Sequence, residues 1–131
     1  PEGQENPTSR HAGVNAIEAP FILHHDGYYY LFVSWDYCCR GEKSTYRVVV
    51  GRSKEVYGPY VDREGRPMYA GGGTPVIAGD GTNFEAAGHC AAYHFPDGET
   101  FVCHGYSIPL HGQSILVQRR MVWEDGWPKL R

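Results

Sequence analysis

The chain has 131 residues, with 17 glycines, nine prolines, 14% aromatic residues and only five leucines. That mix favours short strands and tight turns over a helical bundle, and the length permits one domain with a modest core. A net charge of −3 is too mild for a nucleic-acid binder that must neutralise many phosphates, and no run approaches the roughly 18 apolar residues of a membrane-spanning helix. The sequence has no secretory apolar region and no initiator Met, so it reads as a mature, trimmed or partial chain.

Residues 1–13 are polar and patternless and read as a loop or terminus. From Val14 the pattern changes. Ile17 to Leu23 is extended and apolar, and His25-Asp26-Gly27 carries an Asp-Gly hairpin signal. Tyr28 to Trp35 is aromatic and β-branched at successive positions, which predicts a strand buried on both faces. A polar loop, Tyr37 to Ser44, holds adjacent cysteines. Tyr46 to Arg52, around Val48-Val49-Val50, is a third strand. Gly58-Pro59-Tyr60 and a turn at Glu64-Gly65-Arg66-Pro67 follow, and Gly71-Gly72-Gly73 and Gly79-Asp80-Gly81 bound a loose connector.

The same order then returns. Gly88 to Phe95 is extended, Asp97-Gly98 is a second hairpin signal, and Glu99 to His104 is a strand. Ser114 to Arg120 is another strand, and Trp123 to Pro128 closes the unit. Asp26 and Asp97 stand 71 residues apart, and Val48 and Leu116 stand 68 apart. A near-constant offset across three strands is an internal repeat, each copy a meander of three strands and a short fourth. Meanders repeated at this period predict an all-β fold made of about two propeller blades, at approximately residues 14–75 and 86–131. Two blades do not close a ring, so further blades or another chain are expected beside them. A two-sheet sandwich is the competing architecture, but it buries only one face of each strand, which fits Tyr28 to Trp35 poorly.

Glu18 is the most informative residue. It is a carboxylate inside an apolar strand, and Pro20, lacking an N–H, marks that strand as an edge. The innermost strand of a blade is such an edge and lines the central axis. Apolar neighbours such as Ile17 and Phe21 favour the protonated form that a general acid needs. A surface Glu at a strand start is the plainer reading. Moving 71 residues on from Glu18 reaches His89, which places two polar residues at matching positions near one end of the axis. His89 there suits a metal or a substrate hydroxyl. Cys38 and Cys39 form either a vicinal disulfide, in an oxidising compartment, or two free thiols. A zinc reading would gather His89, Cys90, His94, Cys103 and His104, but no Cys-x-x-Cys spacing supports it.

Taken in order, several segments resemble the family-43 glycoside hydrolases, most closely their endo-1,5-α-L-arabinanases. They are Ala16-Ile17-Glu18-Ala19-Pro20-Phe21, Gly27-Tyr28-Tyr29-Tyr30-Leu31-Phe32-Val33-Ser34, Cys38-Cys39-Arg40-Gly41, Ser44 to Ser53, Gly58-Pro59-Tyr60, Gly71 to Thr74, Gly88-His89 and Gly126-Trp127-Pro128. The resemblance covers nearly all of residues 14–128. It implies a five-bladed propeller and hydrolysis of arabinan by single displacement with inversion, in an extracellular or periplasmic setting. It assigns Glu18 as the general acid and His89 to a metal site near the axis, usually calcium with water completing the shell. The base and a second aspartate belong to earlier blades of that family and have no match here. Asp26 and Asp97 are hairpin tips and Asp36 sits on the wrong blade, so the chain resembles the C-terminal part of such an enzyme. Phe21, Trp35 and Tyr46 suit either sugar stacking or blade core, and Arg52 suits a hydroxyl or carboxylate. A carbohydrate-binding or scaffold role without catalysis, and a β-xylosidase or arabinofuranosidase of the same family, are the alternatives.

Overall fold

The structure, a computed structural model, describes residues 16–131; the terminal segment 1–13 read as a loop lies outside the described residues. Among the described residues eight strands run in chain order: β1 (Ile17–His25), β2 (Tyr28–Trp35), β3 (Arg47–Ser53), β4 (Thr74–Ile77), β5 (Phe84–Phe95), β6 (Gly98–Ser107), β7 (Gln113–Glu124) and β8 (Trp127–Leu130). They form two antiparallel four-stranded meanders, β1-β2-β3-β4 and β5-β6-β7-β8. These are two blades of a propeller, side by side. β1 is an edge strand, as Pro20 requires, and β5 lies against β1, β2 and β3.

Packing explains the blade. Tyr30 and Phe32 of β2, with Val48 and Val50 of β3, pack into one core with Phe101, Cys103, Val117, Met121 and Trp127 of the second sheet. The alternate residues of β2, Val33 and Trp35, turn the other way. They bury with Val49 against Leu31 and Met68. β2 is therefore covered on both faces, which a two-sheet sandwich does not provide. The stretch between the two glycine clusters is more ordered than its composition suggests. Thr74–Ile77 forms β4 because Val76 and Ile77 pack against the main core, while Pro75 sits at the sheet edge.

The register corrects the repeat. Both hairpins turn on two residues, but these are Asp26-Gly27 in the first blade and Pro96-Asp97 in the second, where Gly98 already belongs to β6. Glu18 pairs with Ser34, and Gly88 pairs with His104. The offset across the first two strands of each blade is thus 70 residues. Val48 opposite Ser34 and Leu116 opposite His104 keep the offset of 68, because 14 positions separate Ser34 from Val48 and 12 separate His104 from Leu116. The Asp-Gly pairs match in composition and occupy different turn positions.

Candidate active site

β1 opens with a bulge. Glu18 pairs with Ser34, the register slips over Ala19 and Pro20, and pairing resumes at Phe21 and Phe32. Ala19 takes φ +54°, a conformation that costs a residue with a Cβ about 1–3 kcal/mol. β5 repeats the feature. The register slips between Gly88 and Ala91, and His89 takes φ +53°. His89 is therefore the counterpart of Ala19, and the counterpart of Glu18 is Gly88. Bulges of this kind re-aim side chains, and here two of them deliver Glu18 and His89 to the same place from non-equivalent positions.

The two residues line one cavity of about 150 Å³ between the blades. His104 stands beside His89, with ring centroids 5.8 Å apart, and Tyr46, Tyr106 and the Cys38–Cys39 pair complete the lining. Three hydrogen bonds tie the blades together around it. The His89 N–H donates to Ser34 Oγ at 2.8 Å, the Ala87 N–H to the Tyr46 carbonyl at 2.8 Å, and the Cys39 N–H to the Tyr106 hydroxyl at 2.7 Å. Cys38 and Cys39 are joined as a disulfide. Glu18, His89 and His104 are exposed to the cavity mouth. The apolar enclosure expected around Glu18 is not supplied by this chain: Ile17 is exposed, and Phe21 is half-buried against the main core and does not line the Glu18 cavity.

Tyr46 is buried, with its ring over Gly88 and 6.1 Å from the ring of Tyr106. Burial pushes its phenol well above the ordinary range, and Tyr106 and the Glu18 carboxylate add to the effect. It stays a neutral hydroxyl. Phe21 packs edge-to-face on Tyr93 at 5.9 Å. Trp35 belongs to the cluster with Val33 and Val49. Arg52 is not brought to Glu18. It pairs across from Tyr30, four residues along β2 from Ser34, about 13 Å away along the strand. Its guanidinium lies between the rings of Tyr28 and Trp127, at 4.1 and 4.6 Å, and donates to the Gly126 carbonyl at 3.1 Å. Those contacts join the blades and hold the cation away from Glu18.

The zinc set does not assemble. Cys90 and Cys103 are buried thiols, pushed by burial up to about 12 and about 11, which keeps them protonated and poor ligands. Among the described residues, no group of three or more His, Cys, Asp or Glu is placed to hold a metal ion. Calcium takes six to eight oxygens, whereas His89 and His104 offer imidazole nitrogens. These residues do not by themselves make a calcium site.

Sequence reading gives Ser34 and Tyr106 no role in the site and names His104 only in the zinc set. Ser34 and His104 are repeat counterparts at an offset of 70, and that signal was available only with the correct register. Tyr106 had no local signature, since its role rests on a loop 67 residues away.

The family model for glycosyl hydrolases family 43 matches residues 2–128. An extracellular exo-α-(1→5)-L-arabinofuranosidase of Cellvibrio japonicus is 44% identical over 120 residues, which cover 91% of this chain and 34% of that protein. An extracellular endo-α-(1→5)-L-arabinanase of Bacillus subtilis is 39% identical over 113 residues, covering 86% of this chain and 34% of that one. The crystal structure of an exo-1,5-α-L-arabinanase from a bovine ruminal metagenomic library superposes with a TM-score of 0.84 at 52% identity, covering 88% of this chain and 38% of its own. The chain spans about a third of the length of the curated relatives it matches. It belongs to glycosyl hydrolases family 43.

Proposed function

We propose that the chain supplies the acid-bearing blades of an inverting glycosidase acting on α-1,5-L-arabinofuranosyl linkages of arabinan. The observation that carries the reading is the placement of Glu18. A strained bulge on an edge strand presents a carboxyl at the mouth of a cavity walled by both blades. The relatives named for α-1,5-arabinofuranosyl chemistry support the substrate class.

The glycosidic bond breaks through an oxocarbenium-like state. The Glu18 carboxyl gives its proton to the leaving oxygen, while a second carboxylate on the opposite face of the sugar takes a proton from water as it attacks. In inverting enzymes the two carboxyls stand roughly 6.5–9.5 Å apart to leave room for that water. Among the described residues no aspartate lines the Glu18 cavity. The base therefore comes from further blades, of the same longer chain or of another. Calcium at His89 would need oxygen ligands from those blades and water. It is tested by calorimetric titration of calcium into the assembled enzyme and into its His89→Ala variant. The extracellular names of the relatives and the Cys38–Cys39 disulfide support an oxidising, extracellular location.

The test is Glu18→Gln in the assembled enzyme. It keeps the shape and removes the donor, so turnover of linear arabinan falls about 10²–10⁴-fold with little loss of binding. An aryl arabinoside with an activated leaving group suffers much less. Equal loss on both substrates would mean that Glu18 is not the acid.

A further inference from the structure

The Cys38–Cys39 disulfide has no obvious structural duty. A disulfide stabilises chiefly by closing a loop in the unfolded chain, and one between sequence neighbours closes none. Its loop is held by other means. The Thr45 and Tyr46 N–H groups both donate to the Tyr37 carbonyl at 2.8 Å, and the Arg40 N–H donates to Ser44 Oγ at 2.9 Å. The Arg40 guanidinium rests over the Tyr37 ring at 4.3 Å. The pair is also fixed in space. Cys38 packs against Tyr46, Ala86 and Tyr106, and the Cys39 N–H is held by the Tyr106 hydroxyl. Cys39 itself is exposed, and both cysteines line the Glu18 cavity.

We propose that the Cys38–Cys39 disulfide is a wall of the sugar site, packing on the C–H face of the arabinofuranosyl unit whose linkage Glu18 protonates. The proposal rests on the arabinan reading above and deepens it. Two bonded sulfurs make a small, polarisable surface without a hydrogen-bond donor, suited to C–H groups rather than hydroxyls. The cavity is smaller than the roughly 300–1,000 Å³ of a pocket that encloses a drug-sized ligand, so it takes one sugar unit. Division of labour follows. The Glu18 carboxyl and the imidazoles of His89 and His104 are the polar groups at the mouth, and the disulfide sets the distance at which the ring rests. Reduction would free two rotating thiols and a loop tip, and the wall would lose its shape.

The experiment uses the assembled enzyme carrying Glu18→Gln, so that linear α-1,5-arabinotriose binds while its turnover is slowed about 10²–10⁴-fold. Its affinity is measured by calorimetry. The disulfide is then reduced with tris(carboxyethyl)phosphine, the new thiols are alkylated, and mass spectrometry counts labels on Cys38 and Cys39. Cys90 and Cys103 stay silent because they are buried and protonated. Saturating arabinotriose slows reduction several-fold, and xylotriose at the same concentration leaves it unchanged. In the enzyme with Glu18 intact, Cys38→Ser with Cys39→Ser raises KM for arabino-oligosaccharides about tenfold and changes kcat far less, the split expected of lost ground-state binding. If arabinotriose fails to bind, the arabinan reading falls and takes this one with it. If it binds and the disulfide is reduced at the unprotected rate, this inference alone falls. An unchanged KM in a double variant that keeps its melting temperature also overturns it. A double variant that does not fold leaves the protection experiment to decide.

Discussion

At Gly88 the backbone of the second blade lies directly against the Tyr46 ring of the first. A Cβ there would lie 2.2 Å from the Tyr46 ring, which is 3% exposed and has nowhere to go. Its backbone is not left-handed, so the demand for glycine is one of space alone. Gly88→Ala therefore tests how tightly Tyr46 is seated. We expect a loss of about 1–3 kcal/mol from overpacking, read as a drop in melting temperature. An unchanged melting temperature would mean that the ring has room to move. Arg52 is the contrasting residue. It resembles a ligand-binding arginine by type and position in the chain, yet its cation lies between two aromatic faces and its Nη1 donates to the Gly126 carbonyl. Arg52→Met should cost about 1–2 kcal/mol of stability. It should leave KM for arabinan within experimental error, and a KM raised many-fold at unchanged melting temperature would return Arg52 to the site.

The connector between β3 and β4, which holds one short 3-10 turn at Met68–Ala70, shows what a largely irregular element needs to hold its form. Asp62 is buried, and its Oδ1 accepts from the Glu64 and Arg66 N–H groups at 3.0 and 2.8 Å. Oδ2 accepts from the Gly73 N–H at 3.0 Å and from Arg66 Nε at 3.2 Å. Burial alone would raise the carboxyl, but the Arg66 and Gly73 amides, the Arg66 charge and the Glu64 amide together outweigh it and hold Asp62 below the ordinary carboxylate range. A lowered folded value contributes stability that is present above the unfolded value, near 3.8, and lost as pH falls through the folded one. Asp62→Asn should cost about 1.5–3 kcal/mol at neutral pH, since it turns one acceptor into a donor facing backbone N–H groups. The gap in melting temperature between the two proteins should narrow as pH falls below 4. A gap that stays constant into strong acid would show that the charge does not matter.

At the scale of the molecule, two blades leave apolar surface uncovered. Ile17 and Ile22 on β1, Tyr57 and Tyr69 in the connector, Tyr93 and Phe95 on β5 and Leu116 on β7 are all exposed, Tyr57 to 83%. A second cavity of about 330 Å³, lined by Ile17, Trp35, Tyr57 and Tyr69 among others, is almost wholly apolar in character. Surfaces of this kind drive association. Residues 1–131 prepared alone should self-associate, and adding the remaining blades should convert them to a discrete species by light scattering. A stable, monodisperse monomer would contradict this expectation.

Much of this was legible along the chain. The strand at Tyr28–Trp35 shows itself by apolar residues at successive positions, the edge at β1 by Pro20, and the repeat by hairpin signals recurring about 70 residues apart. These are local properties: alternation, a missing N–H and turn chemistry act within a few residues. Glu18 stood out for the same reason, as a carboxyl in an apolar edge strand. Tertiary structure decided the rest. Asp-Gly pairs suggested that His89 matches Glu18, whereas cross-strand pairing makes it the counterpart of Ala19, because a turn is defined by which residues pair across it and not by composition. The side chains of Cys38, Cys39, Tyr106 and His104 meet at the Glu18 cavity, and Arg52 is drawn away to Gly126. Both outcomes depend on how one blade rests on the next. Contacts between residues 67 or 74 positions apart are settled by packing between sheets, and no local pattern encodes them.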